Sequence, residues 1–136
     1  MPHAKGHFDV SITPADDAGS TGPTLGRMII GKAYHGDLEA NSSGQMLTAT
    51  TDIADSAGYV AVERISGVLH SRTGSFVLQH SGTMNRGIAS LSVTVVPDSG
   101  TSELQGIAGS LTIAITDGTH YYDLEYTLPD DGHAVD

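Results

Sequence analysis

Residues 76–82 read FVLQHSG, with Phe76, Leu78 and His80 at alternate positions and Val77, Gln79 and Ser81 between them. A period of two puts successive side chains on opposite faces of a strand, so a histidine stands where an apolar residue is expected. The same alternation, rich in Val, Ile, Thr and Tyr, recurs along most of the chain. It predicts eight strands, at 4–13, 26–40, 45–53, 58–70, 74–84, 87–96, 109–116 and 119–128. Segments 14–24 and 97–106 read as longer loops and 129–136 as a frayed tail, and no segment carries a helical stripe. The 17 glycines punctuate these runs instead of gathering into linkers, which favours one domain over the whole of 1–136.

Three two-residue tips set the expected registers. A turn at Arg72–Thr73 puts Leu69 opposite Phe76, Ile65 opposite His80 and Glu63 opposite Gly82. A turn at Asn85–Arg86 puts His80 opposite Leu91 and Leu78 opposite Val93. Asp117–Gly118, a strong hairpin signal, sets Leu111, Ile113 and Ile115 beside His120, Tyr122, Leu124 and Tyr126. Phe8, Val10 and Ile12 supply the same apolar face, while Arg64, Ser66, Ser75, Gln79, Ser81, Ser90, Ser92 and Thr94 fall on the other. An apolar face that no helix covers must fold onto itself. The expected fold is all-β, a single closed eight-stranded antiparallel β-barrel, which also removes the exposed edges. A two-sheet sandwich is the alternative.

Composition narrows the partners. Apolar residues make up 38% and charged residues 16%, which excludes a disordered acidic tail, and no apolar run approaches the roughly 20 residues that span a bilayer. The N-terminal MPHAKGHFDV lacks the apolar core of a signal peptide, and there is no cysteine for a disulfide or thiolate metal site. A cytoplasmic location is the simplest expectation. The formal net charge of −10 leaves no basic cluster to release counterions from phosphates, so neither nucleic acid nor an anionic membrane is an expected partner. No phosphate-binding glycine loop, GxSxG, HExxH or dinucleotide fingerprint occurs, and no cofactor is expected.

The stretches KAYHGDLEANSSGQMLTA (32–49), YVAVERISGVLHSRTGSFVLQHSGTM (59–84) and VVPDSGTSELQGIAGSL (95–111) resemble DUF3224, a family of small uncharacterised bacterial proteins. The resemblance runs from about Gly6 to Tyr126. That family is similar in fold to the allene oxide cyclase and dirigent barrels, so it implies an eight-stranded barrel and association into homo-oligomers. SGTSELQGIAG also resembles the GTGxFxGxxG signature of those barrels, with Ser102 in place of its second glycine. The resemblance implies no catalytic residue.

The inward positions supply the candidate chemistry. Glu63 and His80 fall on neighbouring strands, offset by one inward position, within diagonal reach. A carboxylate can hold an imidazole in one tautomer and make it a general acid or base. The same pair can equally be a buried lock on register. Lys32 and Tyr34 are expected inward, opposite Thr51 and Ala49, where a lysine near Glu63 suits an anion or a Schiff base and one at the rim is merely solvated. Tyr59, Tyr122 and Tyr126 offer an apolar wall with a hydroxyl handle for a small ligand, or pack in the core with the hydroxyl tied to backbone. Arg64 and Gln79 face each other outward, either solvated or at an interface between copies. His3 and His7 share a strand face but have no local carboxylate to complete a metal set, and a frayed N-terminus is expected there. His35, His70 and His133 lie near turns or the tail and carry no signal. Three functions are left open: a binding barrel for a small, partly apolar ligand, an isomerase or cyclase using Glu63 and His80, and a structural protein with a packed interior.

Overall fold

The computed structural model describes residues 2–15 and 25–129. Most of the expected 14–24 loop and nearly all of the expected tail lie outside the described residues. Eight strands form, β1 (His3–Pro14), β2 (Leu25–Gly36), β3 (Leu38–Thr50), β4 (Ala57–Leu69), β5 (Arg72–Asn85), β6 (Ile88–Val95), β7 (Ala108–Thr116) and β8 (Thr119–Thr127). They pair in chain order, all antiparallel, and β8 closes on β1 to complete a barrel. The sandwich alternative is excluded. Among the described residues, no helix is long and apolar enough to cross a membrane.

Partner positions can be followed round the wall from Ile12 through Ile30, Gly44, Glu63, Leu78 and Val95, then across β7 and β8. The path returns to β1 at Pro2, ten residues nearer the start. A stagger of that size goes with strands tilted by roughly 40° to the axis. The tilt brings inward positions of β2, β3, β4 and β5, namely Lys32, Ser42, Glu63 and His80, to one level.

Three registers differ from expectation. The β4–β5 tip is His70–Ser71, with φ of 45° and 71°, so Ile65 pairs with Phe76, Glu63 with Leu78 and Ala61 with His80. The β5–β6 tip is Arg86–Gly87, so His80 pairs with Val93 and Leu78 with Val95. Both displacements are even and leave every face unchanged. The β2–β3 turn is a different matter. It lies at Gly36–Asp37, not in the Asn41–Gly44 stretch, and Lys32 pairs with Ser42 and Tyr34 with Ala40. Asp37 locks that turn, since its backbone N–H donates to the Lys5 carbonyl and its carboxylate accepts from the Lys5 N–H. The odd displacement reverses the faces of β3.

The two ends of the barrel are finished differently. At one, Leu38, Leu69, Phe76, Leu124 and Tyr126 pack against Leu104 and Ile107, which descend from the 96–107 segment. That segment, expected as a plain loop, is bolted along β5. The Ser75 N–H donates to Thr101 Oγ1, the Val77 N–H to Ser99 Oγ and the Thr73 N–H to the Glu103 carboxylate. One 3-10 turn at Ser102–Leu104 aims Leu104 inward, and Ser102, at the position of the signature's second glycine, holds φ at 52°. At the other end Met28, Met46, Met84, Leu91 and Ile115 continue the inward alternation, and no described segment crosses them.

Candidate functional site

Glu63 and His80 are the two polar side chains of the buried core among the described residues, 1% and 4% exposed. They are diagonal neighbours across β4 and β5, and His80 Nε2 lies 2.6 Å from Glu63 Oε1. Lys32 Nζ donates to the same oxygen at 2.8 Å. The other oxygen, Oε2, accepts from the Tyr34 hydroxyl at 2.8 Å and the Ser42 hydroxyl at 2.6 Å. Four donors from β2, β3 and β5 thus converge on one carboxylate of β4. They fill its acceptor sites, as a carboxylate in the core requires.

Local backbone makes the convergence possible. A Cβ at Gly44 would run into the Val62 carbonyl and the Glu63 backbone, so only glycine lets β3 approach β4 this closely beside the carboxylate. This is why the NSSG stretch that reads as a turn is strand interior. One level toward the open end, Gly82 lies under the Tyr59 ring, where a Cβ would meet Tyr59 Cε1 at 2.6 Å.

Burial pushes the Glu63 carboxyl upward, but the His80 hydrogen bond, the Lys32 charge and the Lys32 and Ser42 hydrogen bonds outweigh it and hold the group down at about 2. Burial, and then the charge and hydrogen bond of Glu63, push the Tyr34 phenol far above its usual range. Burial and then the Glu63 charge raise Tyr59 in the same direction. Glu63 is therefore a fixed anion, and Tyr34 a fixed hydrogen-bond donor. The Lys32 ammonium also sits 4.8 Å from the centre of the Phe8 ring, a cation–π contact.

Polar capacity is left over on the open side. His80 engages Glu63 through Nε2, and Nδ1 has no hydrogen-bond partner among the described residues. Every fully enclosed side-chain nitrogen or oxygen there has a partner, so Nδ1 is not fully enclosed. The Tyr59 hydroxyl and the His120 ring, stacked 5.1 Å from Phe8, are also without a hydrogen-bond partner among the described residues. Above them opens a cavity of about 400 Å³ at the open end, walled by Met46, Thr48, Tyr59, Gly82, Met84 and Leu91. A larger concavity, about 660 Å³, is a groove on the outer wall along Leu47, Val60, Val62 and Val77, and the interior donors do not face it.

The structure brings Lys32, Tyr34, Glu63 and His80 into one cluster with Tyr59 over it. It places Tyr122 and Tyr126 in the packed end instead. The Tyr122 hydroxyl accepts from the Leu38 N–H at 2.9 Å and donates to the His35 carbonyl at 3.0 Å, and burial first among several causes pushes its phenol up to about 12. The Tyr126 hydroxyl lies 2.6 Å from His70 Nδ1. Arg64 pairs with Val77 across the outer wall, and Gln79 with Val62, so those two side chains are not opposite. His3 is held in β1, its Nδ1 2.7 Å from Asp123, so the described N-terminus is paired strand, and His7 stacks on His35. Ser42 and His120 were not singled out from the sequence. His120 was visible as an inward position, whereas Ser42 needed the correct β3 register.

Comparison with known proteins defines the class first. A family model described as a protein of unknown function, DUF3224, matches residues 4–126, and this chain belongs to that family. A solved structure of a DUF3224 family protein of unknown function from Shewanella oneidensis is 46% identical, with a TM-score of 0.87 over 94% of this chain and 97% of that one. No curated protein matches the chain.

Proposed function

We propose that this protein is a binding barrel for a small, partly apolar molecule taken in at the open end, with its polar end directed to the cluster around Glu63. The observation that carries this is the contrast between that cluster and the space above it. The cavity of about 400 Å³ has the size of a small-molecule site and almost wholly apolar walls, and Tyr59 is the residue of its lining that leads toward the Glu63 cluster. The three methionines outside the first residue all face this end, and none faces the packed one. Unbranched, polarisable side chains adapt to irregular apolar ligands.

The isomerase or cyclase reading runs through His80 alone. Glu63, held at about 2 by its donors, is poorly placed to exchange protons near neutrality and acts by presenting His80 in one orientation. Native mass spectrometry of the freshly purified protein tests the binding reading. The expected result is an adduct of small-molecule mass that is lost on denaturation. A bare protein that also acquires nothing from a metabolite extract would overturn it in favour of a structural barrel.

A further inference from the structure

We infer that the ligand is a monoanion with an apolar tail, its anionic group seated between His80, Lys32, His120 and Tyr59 at the floor of the open end. This rests on the binding reading above and adds the chemistry of the polar end. The four acceptor sites of Glu63 are taken by Lys32, Tyr34, Ser42 and His80, and among the described residues the core has no other carboxylate to meet a cation. What remains is donor capacity on Lys32 and Tyr59, with imidazole nitrogens of His80 and His120 beside it. Lys32 uses one of its three N–H groups in a hydrogen bond, and the Tyr59 hydroxyl, His80 Nδ1 and the His120 ring have no hydrogen-bond partner among the described residues.

Lys32, His80 and His120 are close together, and Tyr59, whose ring covers the Gly82 position next inward from His80, is near enough to feel the Glu63 charge. Lys32 Nζ and His80 Nε2 bond the same Glu63 oxygen, so they can be no farther apart than those two bonds laid end to end. Phe8 touches both the Lys32 ammonium and the His120 ring, which joins His120 to the set across β1. An anion seated beside His80 favours the imidazolium form of the ring, in which Nδ1 donates to it while Nε2 donates to Glu63. The tail then runs past Gly82 and Leu91 toward Met46 and Met84. A chain with a net charge of −10 repels polyanions such as nucleotide phosphates more strongly than a single carboxylate, which narrows the class.

The test is titration of the intact protein, carrying ¹³C-methyl methionine, with octanoate, 1-octanol and octylamine in turn. The expected result is movement of the Met46 and Met84 methyl resonances by octanoate at least about tenfold more tightly than by octanol, with octylamine weaker still. Lys32→Met and His120→Phe should each weaken octanoate severalfold and leave octanol within about twofold. His120→Phe removes no hydrogen bond among the described residues, so it decides the matter if Lys32→Met fails to fold. Equal or tighter binding of octanol or octylamine overturns the anion while leaving the binding barrel standing. Failure of all three to move the methyl resonances overturns both.

Discussion

Leu69 at the packed end is fully buried, while Ile115 at the open end is 65% exposed, although both lie on the inward alternation of their strands. The difference teaches that facing inward is not the same as being covered. Burial at the packed end depends on a second element, the 96–107 segment that brings Leu104 and Ile107 across the barrel. No described segment does this for Met84, Leu91 and Ile115, which are 40%, 43% and 65% exposed. The packed end is built of Leu, Ile, Phe and Tyr with every polar tip tied. The open end carries Met28, Met46 and Met84 with Leu91, Ile115 and small residues, over polar groups that have no hydrogen-bond partner among the described residues. Between them lies the Glu63 level, sealed on one side and reached on the other.

The largest effect should come from cutting into the packed end. Leu69→Ala should lower stability by about 2–5 kcal/mol, the range for a large-to-small change in a core that cannot collapse. Ile115→Ala, which removes mostly solvated surface, should cost less than about 1 kcal/mol. Urea unfolding of the two variants checks this. Equal losses would mean the open end is covered in solution and the contrast is false.

Glu63→Gln comes next and tests the level between the ends. The Glu63 carboxyl is lower in the folded protein, at about 2, than its ordinary 4.5, so between those values the unfolded state binds more protons. Its contribution is present above pH about 4.5 and is lost as pH falls toward about 2, on the order of 3 kcal/mol over the window. The variant leaves the Lys32 ammonium buried opposite a neutral amide, and should be destabilised by a similar amount at pH 7. Its stability should then be flatter than the wild type's through the acid window. Denaturation midpoints from pH 7 to pH 2 give both readings, and parallel curves would remove Glu63 as the source of the acid limb.

The barrel itself is legible in the sequence because period-two alternation and the Asp117–Gly118 tip survive small errors of register. The β4–β5 and β5–β6 turns lay elsewhere than expected, yet Glu63 and His80 stayed diagonal neighbours, since an even slip keeps each face. The true tips were hidden because His70, Ser71 and Arg86 adopt positive φ without being glycine. An odd slip is less forgiving. Gly44 sits in a stretch with turn composition, and its real role, close approach to the Glu63 backbone, depends on a neighbour 19 residues away, which no local pattern encodes. Ser42 was lost with it. The sequence also placed Tyr59, Tyr122 and Tyr126 inward without saying at which end. That depends on where Leu104 and Ile107 come down, a tertiary fact.

The last two tyrosines of this comparison give the smallest and sharpest test. Tyr122 and Tyr59 both face inward and both have raised phenols, but the Tyr122 hydroxyl bridges the Leu38 N–H and the His35 carbonyl, while the Tyr59 hydroxyl has no hydrogen-bond partner among the described residues. Tyr122→Phe strips a buried backbone donor of its acceptor and should cost about 1–3 kcal/mol. Tyr59→Phe removes an oxygen that supports nothing in the fold, so stability should change by less than about 0.5 kcal/mol. Its effect should appear only when the open end is occupied, as a severalfold loss of octanoate with octanol unaffected. Thermal unfolding of both variants, alone and with octanoate, separates the cases. If Tyr59→Phe destabilised the empty protein as much as Tyr122→Phe does, the open end would hold its polar groups for the fold and not for a ligand.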